Sequence, residues 1–526
     1  MHVAVIGSGP AGVSCAQALV ARGVRVTIID IGETLDAGRQ SKIDALADID
    51  PAEWPAAERS FLTHNPTLRD WIPRKVLFGS DFPYGLNRPY LPLDTDNDSF
   101  APSVAKGGYS MVWGASALPI DGCDMSGWPI SQGDLAPYYT RVLEGMALSG
   151  GKGTLEDSFP AYTKTMGQIS LDSQSRALLA DMERGLRRNN RDVLYGVARL
   201  ALRAADCKPC GMCLVGCPRG AIHATPALLA PMIESGSVAY RSDLRVDMVE
   251  EGPDGARVAL TKIDNGTRST ETFDKIFIGA GTLGTARILL QSKRWLGRAL
   301  TVRESAKVLV PVLRFSGAPT ALGEPKVALP NVFIEAKIDG LGDHWVHAQI
   351  SSVNDMVLER LGMRPDQPRY WKRTLARPLL TRLMVAWCGL HSDYSATLSV
   401  TLEPASSGQL PVLTTRGHET AKTRVAARRA ARGFLRLGLR FGTLFIAPLM
   451  RLSKPGTGYH CGGTFPMRAA ATAPTDTDIL GRPFGWSRIH VIDGSVLPTI
   501  PGTTIALPIM ANAMRIGATV PLEAGY

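Results

Sequence analysis

The chain has 526 residues, of which 45% are hydrophobic and 20% are charged, an ordinary composition for a soluble globular protein. The length favours two or more structural units over a single core. The net charge of +10 arises in two segments that contain no acid: residues 422–454 hold nine Lys or Arg residues and residues 369–385 hold five. No nucleic-acid-binding motif accompanies these cations, so no nucleic-acid partner is inferred.

The sequence predicts a cytoplasmic protein. An apolar strand at residues 3–6 follows the first methionine almost directly, without the charged segment and cleavage site of a secretory signal. The apolar residues 441–450 are too few to span a bilayer, and Arg436, Arg440 and Arg451 surround them. Export in the folded state with a partner that has the signal would leave the same features, so that alternative stays open.

The first thirty residues predict a strand–turn–helix–strand unit. Residues 3–6 predict a strand, residues 7–12 a glycine turn, residues 13–22 a helix and residues 24–30 a second strand. The turn has the G-x-G-x-x-G spacing of dinucleotide-binding βαβ units. The spacing is specific here because the strand, the helix and the terminal acid accompany it.

The residues of this motif have separate roles. Gly7 permits the tight turn, Gly9 lets a pyrophosphate approach the backbone, and Gly12 lets the helix pack closely on the strand. The helix N-terminus then faces the phosphates. Asp30 ends the second strand, where an acid can hold a ribose hydroxyl. A glycine turn that only packs a helix, without a ligand, is the alternative.

The next part of the chain is less regular. Residues 35–100 are rich in Asp, Pro and aromatic residues and have no clear period, which predicts an excursion from the nucleotide-binding unit. A second glycine-rich stretch follows at residues 107–114, and residues 134–146 have a helical pattern.

Four of the eight cysteines lie within eleven residues, in the spacing C-x2-C-x2-C-x3-C-P: Cys207, Cys210, Cys213 and Cys217. This is the iron–sulfur run of bacterial ferredoxins. In two-cluster ferredoxins the fourth cysteine ligates the other cluster, and this chain has one run. Either Cys217 closes a 4Fe–4S cluster, or three cysteines hold a 3Fe–4S cluster. Structural zinc is the alternative, although zinc usually takes paired C-x2-C units with longer spacers.

A second strand–glycine–helix crossover follows the cysteine run. Residues 275–278 predict a strand, residues 279–285 a glycine turn and residues 286–292 a helix. Residues 300–415 then alternate between apolar and polar positions as strands do, and residues 420–450 have a helical pattern.

Five motifs are distributed over the whole chain. They are Gly7, Gly9, Gly12 and Asp30; the pair Gly107 and Gly108; Gly279, Ala280, Gly281 and Thr285 in A-G-x-x-x-T; His460, Gly463 and Thr464 in H-x-x-G-T; and Asp493 and Gly494 within residues 489–501. In this order they resemble the glucose–methanol–choline (GMC) oxidoreductases, in a bacterial branch that contains a cysteine cluster. The resemblance implies FAD rather than NAD.

The resemblance implies an α/β plus α+β fold, with a Rossmann-like FAD-binding domain, discontinuous in sequence, and a substrate domain that contains a sheet. The implied division is residues 1–125, 223–310 and 456–526 for the FAD-binding domain, 126–202 for a substrate or cap region, 203–222 for the iron–sulfur loop, and 311–455 for the substrate-binding domain. The implied FAD contacts are Gly7, Gly9, Gly12, Asp30, Gly107, Gly108, Ala280, Gly281, Asp493 and Gly494. Some relatives attach FAD to a histidine in the loop that matches residues 109–113; this loop has none, so we predict non-covalent FAD.

His460 is the predicted catalytic residue, because a histidine beside a flavin can take the proton of an alcohol. A flavin-packing histidine is the alternative. The second His or Asn of the family falls at Ala506 or Leu507, and neither can handle a proton. Either His460 acts alone, or a second group helps it. Thr504 is predicted as that second catalytic residue, and His347 and His391 are further candidates; a structural role is the alternative for all three.

Two basic segments suggest a surface contact. Arg428, Arg432, Arg436 and Arg440 recur every four residues within the basic helix predicted at 422–454, and Tyr370 and Trp371 flank Lys372, Arg373 and Arg377. A solvated charged face on a docked helix is one interpretation. The other is peripheral contact with an anionic membrane or with a phosphate-bearing substrate.

These features predict an FAD-dependent dehydrogenase that oxidises a hydroxyl group on a sugar, polyol or other secondary alcohol. Electrons would leave through the iron–sulfur cluster to a one-electron acceptor protein or a quinone-linked partner. One alternative is a flavin and iron–sulfur reductase or isomerase that acts on a C=C bond. Another is a non-catalytic flavin-binding subunit with a structural metal.

Overall fold

The structure is a computed structural model that describes residues 1–65, 74–151, 153–186, 191–363, 369 and 371–522. In chain order the helices are α1 (Pro10–Val20), α2 (Ala37–Ala47), α3 (Ala56–Thr63), α4 (Gln132–Gly145), α5 (Ser173–Gly185), α6 (Pro226–Glu234), α7 (Gly281–Ser292), α8 (Asp355–Arg360), α9 (Lys372–Leu380), α10 (Ala421–Leu439) and α11 (Ala506–Thr519).

The strands in chain order are β1 (His2–Ile6), β2 (Arg25–Ile29), β3 (Leu93–Asp96), β4 (Leu148–Gly150), β5 (Met166–Gln168), β6 (Val193–Val197), β7 (Val238–Arg241), β8 (Leu244–Gly252), β9 (Gly255–Lys262), β10 (Arg268–Phe273), β11 (Lys275–Ile278), β12 (Leu300–Glu304), β13 (Lys307–Arg314), β14 (Val332–Lys337), β15 (Trp345–Ser352), β16 (Leu383–Gly389), β17 (Thr397–Glu403), β18 (Val412–His418), β19 (Thr443–Phe445), β20 (Arg451–Leu452), β21 (Cys461–Gly462) and β22 (Ile489–Val491).

A parallel five-stranded sheet in the order β22-β11-β1-β2-β7 forms the layer that contains the predicted nucleotide-binding motif. Its central strand β1 is buried along Val3–Ile6, as expected for a strand covered on both faces. The helices α1 and α11 pack against each other beside this sheet. Because the strands come from four separate parts of the chain, the layer is discontinuous in sequence, and the predicted fold class is confirmed.

An antiparallel sheet in the order β19-β13-β16-β15-β14-β6, with β20 also paired to β13, forms the second large layer. Its apolar face packs on α10 through Ala426, Ala427, Ala430, Ala431 and Phe434. The four arginines predicted to share a face of α10 are exposed. A five-stranded sheet β21-β12-β17-β18-β3 holds the segment that contains His460, and smaller sheets comprise β8–β10 and β4 with β5.

Most predicted elements are present with shifted ends. The helix predicted at 13–22 begins at Pro10 because proline is well suited to a first helical turn. The helix predicted at 134–146 begins at Gln132, where Ser131 and Asp134 form a capping box. The helix predicted over 420–450 was too long: α10 ends at Leu439, and Gly442 takes φ +65° before β19.

The predicted excursion at residues 35–100 contains two helices, α2 and α3, that the sequence pattern did not indicate. Both helices are short, and α2 buries only Ile43 and Leu46. Two apolar positions are too few to show a helical period in the sequence. The division into domains stays a prediction. Among the described residues, no helix combines the length and apolar character needed to cross a bilayer.

Candidate functional site

A cavity of about 760 Å³ is lined by both large layers of the fold. One side consists of the glycine turns after β1 and β11 and the loop at residues 107–114. The other side includes strands β13, β15 and β16 of the antiparallel sheet. Of the predicted site residues, the cavity lining includes Gly7, Gly9, Asp30, Gly108, Ala280, Gly281, His460, Asp493, Gly494 and Thr504.

The first glycine turn requires glycine for space as well as for conformation. Gly7 has φ +94°, and a Cβ on it would lie 2.6 Å from the carbonyl oxygen of Gly279. A Cβ on Gly12 would lie 1.9 Å from the carbonyl oxygen of Gly7, so helix α1 can start this close to β1 only without a side chain there. The predicted roles of Gly7 and Gly12 in local geometry therefore have a physical basis.

The second glycine pair lies against the first turn. Gly108 has φ +57°, and a Cβ on it would lie 3.1 Å from Cα of Gly9. The backbone N–H of Gly107 donates to Ser8 Oγ at 2.9 Å, and Thr225 Oγ1 donates to the carbonyl of Gly107 at 3.1 Å. These contacts hold two segments about a hundred residues apart as one surface at the helix N-terminus.

Asp30 ends β2 and faces the cavity. Its Oδ2 accepts hydrogen bonds from the backbone N–H of Ser8 at 3.3 Å and from the Tyr240 hydroxyl at 3.3 Å, and also from Ser8 Oγ. Burial raises the pKa of this carboxyl to about 6, and the hydrogen bonds from Ser8 oppose that rise. None of these hydrogen bonds uses the other carboxylate oxygen, Oδ1.

The crossover motif and the closing segment are joined by hydrogen bonds to the Asp493 carboxylate. Thr285 Oγ1 on α7 donates to Asp493 Oδ2 at 2.5 Å, and the backbone N–H of Ser495 donates to Asp493 Oδ1 at 2.9 Å. Gly281 has φ +74° with open space where a Cβ would be. Ala280, Gly281, Asp493 and Gly494 thus form one contiguous part of the cavity wall.

His460 directly precedes β21, which pairs with the end of β12 through Cys461 and Glu304. The backbone N–H of Ser305 donates to the His460 carbonyl at 3.0 Å. Burial lowers the pKa of His460 well below its usual value, and the nearby charges of Lys307 and His347 lower it further, against a backbone hydrogen bond with Thr503. The imidazole is therefore neutral at physiological pH, as a general base must be.

Lys307 is a buried cation beside His460 that sequence reasoning missed. Its Nζ lies 3.0 Å from His460 Nδ1 and 3.1 Å from Ser305 Oγ, and the side chain is 2% exposed. Burial lowers the pKa of Lys307 to about 8, although Glu304 opposes this. The available signal was a lysine at the head of the otherwise apolar segment Val308–Leu313.

Two glycines make room for the Lys307 side chain. A Cβ on Gly458 would lie 2.7 Å from Lys307 Cγ, and a Cβ on Gly389 would lie 2.8 Å from Lys307 Nζ. Gly389 is also the strand partner of Lys307 on one side and of His347 on the other. Residues directly opposite in a sheet point to the same face, so Lys307 and His347 lie in one row with the glycine between them.

The row continues to a buried histidine–carboxyl pair. His347 Nδ1 lies 2.5 Å from Glu335 Oε1, and the two residues are cross-strand partners. Burial raises the pKa of Glu335 well above its usual value and lowers that of His347 well below. Within the part of the chain that the structure describes, Nε2 of His347 is buried without a hydrogen-bond partner. His347 is not in the cavity lining but affects His460 electrostatically.

Thr504 lies in the cavity wall, but its hydroxyl has a backbone partner. The backbone N–H of Leu118 donates to Thr504 Oγ1 at 2.9 Å. Ala506, one of the two positions predicted to match the family's second His or Asn, opens helix α11 and offers only a methyl group to the cavity. A catalytic role of Thr504 stays a prediction. Lys307, by contrast, directly contacts His460.

The third candidate histidine, His391, lies in a separate cluster. Ligand atoms of Asp124, His344 and His391 all lie within 4.8 Å of one another, a spacing that a metal ion can use. However, the two imidazoles are stacked with centroids 3.6 Å apart and an angle of 6°. Because a metal lies in the plane of each imidazole that binds it, two parallel rings in this stack do not share an ion. The cluster is better described as a stacked histidine pair.

The cysteine loop forms part of the same cavity wall as the glycine turns. Gly211, Met212, Leu214 and Val215 line the cavity, and the N–H of Gly211 donates to the Lys326 carbonyl at 2.9 Å. The four thiols affect one another electrostatically, so they lie in one small region. Burial raises the pKa of Cys207 to about 11 and that of Cys213 to about 12.

Three of the four sulfur atoms accept a backbone hydrogen bond. The N–H of Ala221 donates to Cys217 Sγ at 3.3 Å, and the N–H groups of Met212 and Ala328 donate to the sulfurs of Cys210 and Cys213. Such donors stabilise a thiolate relative to a thiol. All four cysteines are among the described residues, and no three of their sulfur atoms lie within 4.8 Å of one another.

Comparisons with known proteins agree with this arrangement. Residues 399–513 match the family model described as GMC oxidoreductase, and residues 1–51 match the model of the pyridine nucleotide-disulphide oxidoreductases. No curated protein matches the sequence. The crystal structure of pyridoxine 4-oxidase from Mesorbium loti is similar in fold, with 13% identity, a TM-score of 0.62, and coverage of 98% of each chain.

The two family matches lie at the two ends of the chain, in the segments that contain the first glycine turn and His460. At 13% identity, the similarity to the solved structure establishes the fold. Neither family match includes the cysteine loop at residues 203–222, so these matches do not identify a metal on that loop.

Proposed function

We propose that the protein is an FAD-dependent dehydrogenase that oxidises a hydroxyl group on a sugar, polyol or other secondary alcohol. Electrons leave singly through an iron–sulfur cluster held by the four clustered cysteines. One observation carries the proposal: the glycine turns, His460 and the cysteine loop line one cavity. The four cysteines are not themselves lining residues, but Cys213 lies between Met212 and Leu214, which are, so a cluster there would lie next to the cofactor cavity.

The residues present fit FAD. The glycine cradle at Gly9 and Gly108 leaves backbone exposed at the N-terminus of α1, where a pyrophosphate is stabilised. Asp30 would accept a hydrogen bond from a ribose hydroxyl, and Asp493 would bind a hydroxyl on the flavin side. FAD held by these residues would supply a two-electron acceptor for the hydride of the alcohol carbon. The absence of a histidine at residues 109–113 supports dissociable FAD, which acid precipitation should release.

His460 is placed to take the hydroxyl proton. Its Nδ1 faces Lys307, and Nε2 is the nitrogen proposed to act on a bound alcohol. When Lys307 is charged it donates to Nδ1, so the proton of the neutral ring lies on Nε2 and the base is blocked. When Lys307 is neutral it can accept from Nδ1–H, so the Nε2 lone pair is available. Lys307 therefore sets the tautomer of His460 and is a positioning residue.

The cysteine loop fits an iron–sulfur cluster better than a zinc ion. Tetrahedral zinc with Zn–S bonds of about 2.3 Å places its sulfurs roughly 3.8 Å apart. The four thiols share one region, and their C-x2-C-x2-C-x3-C-P spacing is that of ferredoxins, whereas zinc usually takes paired C-x2-C units with longer spacers. The backbone N–H groups directed at three sulfurs are of the kind that tunes iron–sulfur potentials.

Anaerobic reduction of the bound flavin by a panel of sugars, polyols and other alcohols, with pyridoxine included, tests the proposal. Turnover is then compared with a one-electron acceptor and with oxygen. The expected result is flavin bleaching by at least one alcohol and faster turnover with the one-electron acceptor. Failure of every alcohol, together with flavin reduction by a reduced ferredoxin, would favour the alternative of C=C reduction. Flavin that no donor reduces would favour a non-catalytic subunit.

A further inference from the structure

The most exposed apolar side chains of the protein are gathered in one part of the chain. Among the described residues, six large apolar side chains are more than half exposed, and all six fall between residues 315 and 449. They are Phe315, Trp371, Leu375, Leu379, Leu439 and Leu449. Single exposed apolar residues are ordinary on a soluble protein, but a concentration of this kind marks an interaction surface.

Three of these residues form a stripe on α9. Trp371, Leu375 and Leu379 are spaced four residues apart, so they share one face of the helix, and their exposures are 62%, 74% and 52%. The opposite face holds Ala376 and Leu380, which pack into a small core with Leu383. The helix is therefore docked by its smaller apolar residues, and its larger ones face away from the protein.

Cations flank this stripe. Lys372, Arg373 and Arg377 lie on the same helix, and residues 371–385 contain no acid. Arg377 donates to the carbonyl of Pro319 at 3.1 Å and Arg373 donates to that of Leu322 at 2.6 Å, so both guanidinium groups are held close to the protein surface. Tyr370, which the sequence also assigned to this group, lies outside the described residues.

The end of α9 lies beside the end of the basic helix α10. The N–H of Ala318 donates to the Thr381 carbonyl at 2.9 Å, and the N–H of Phe315 donates to the Gly442 carbonyl at 2.8 Å. This joins the stripe to Phe315 and Leu439, and to the exposed Arg436 and Arg440. The two acid-free segments of the sequence thus meet at one end of the antiparallel sheet.

We propose that this surface docks the protein on an anionic lipid bilayer, with Trp371, Leu375 and Leu379 inserted among the headgroups. A helix with Trp and Leu on one face and Lys and Arg beside them is typical of interfacial attachment. Clustered cations add an attraction to anionic lipids at the surface. A second copy of the chain is a poorer occupant, because a symmetric contact would place these cations against each other.

Flotation of the FAD-loaded protein with vesicles tests the proposal. Phosphatidylcholine vesicles with and without phosphatidylglycerol are compared at low and high salt. The protein should float with the anionic vesicles at low salt, remain free of the neutral ones, and lose roughly tenfold or more of its binding at high salt. The oligomeric state of the free protein is measured by light scattering in the same buffer.

Two variants separate the apolar and the charged contributions. The triple variant Trp371→Ser, Leu375→Ser, Leu379→Ser and the double variant Lys372→Gln, Arg377→Gln should each weaken binding roughly tenfold or more. Phe484→Ser, which removes an apolar side chain that is 45% exposed elsewhere, and Arg257→Gln, at an exposed site on β9, are matched controls and should bind as the parent does. Alcohol oxidation in solution should be the same in all of them, since these residues are outside the cavity lining.

Three outcomes would overturn the proposal. One is a parent protein that stays free of anionic vesicles at low salt. Another is binding that the triple variant retains in full. The third is a dimer that the triple variant dissociates, which would assign the surface to a second copy. None of these outcomes depends on whether the protein oxidises alcohols, so the surface and the proposed reaction fail or stand separately.

Discussion

Nζ of Lys307 lies 3.0 Å from Nδ1 of His460, although the two residues are 153 positions apart in the chain. The contact exists because β21 pairs with the end of β12, and the chain turns back through Ser305 into β13. It couples the protonation state of a buried lysine to the tautomer of the predicted base. Several properties of the protein should follow from this one contact.

Activity should rise as the pH increases through about 8. Burial lowers the pKa of Lys307 to about 8, so above that pH the amine is neutral and His460 Nε2 is free to accept a proton. The kcat of the Lys307→Met variant should not show this rise with pH, and the variant should keep its bound FAD. A parent kcat profile that is flat between pH 7 and 9 would contradict the coupling.

The same variant should be more stable than the parent at neutral pH. The folded pKa of Lys307 lies below its value of 10.5 in the unfolded chain, so the unfolded state binds more protons between pH 8 and 10.5. The free energy of unfolding therefore decreases as the pH drops through that window. Below pH 8 the buried charge of Lys307 destabilises the fold to its full extent. Lys307→Met should remove a cost on the order of 2–3 kcal/mol at pH 7, measured by urea unfolding. The gain should vanish above pH 10.5; a loss of stability at pH 7 would contradict the assignment.

Replacement of His460 should abolish the reaction without emptying the cofactor site. His460→Asn should lower kcat about 10²- to 10⁴-fold, the usual contribution of a general base. Bound flavin, measured by absorbance per chain, should be unchanged. His418→Asn is the matched control, because His418 is exposed on β18 and bonded to Ser399. Equal activities of the two variants would show that His460 only packs beside the flavin.

Asp30 should contribute to FAD affinity. Asp30→Ala removes the acceptor at the end of β2, and a hydrogen bond to a charged group contributes about 1.5–3 kcal/mol, or roughly tenfold to a hundredfold in Kd. Fluorescence titration of the apoprotein with FAD measures this change. Asp254→Ala, at an exposed turn, is the control and should bind FAD as tightly as the parent. Unaltered affinity of Asp30→Ala would remove Asp30 from the site.

The cofactor-binding part of the site was predictable because its signals are local. Gly7, Gly9 and Gly12 lie within one turn, and their spacing reflects steric limits that the structure makes explicit, such as the 1.9 Å approach at Gly12. The histidine motif at His460 is equally compact. Local spacing of this kind can be recognised in the sequence without knowing how distant segments pack.

The rest of the site depends on strand register, which the sequence does not specify alone. Lys307, Gly389, His347 and Glu335 come from four strands and form a row only because those strands pair in one register. The stripe on α9 shows the same limit for helices. Its period of four is typical of a buried face, and only the packing of Leu380 shows that Trp371 and Leu375 face outward.

The most direct measurement is the content of flavin, iron and acid-labile sulfide per chain in anaerobically purified protein, with Cys213→Ala alongside. We expect one flavin per chain with about four irons, or about three, and matching sulfide, and we expect the variant to lose iron. Flavin without iron, or with zinc in its place, would contradict the relay. The cysteines would then be structural, and an oxygen-using oxidase would be the better description of the site.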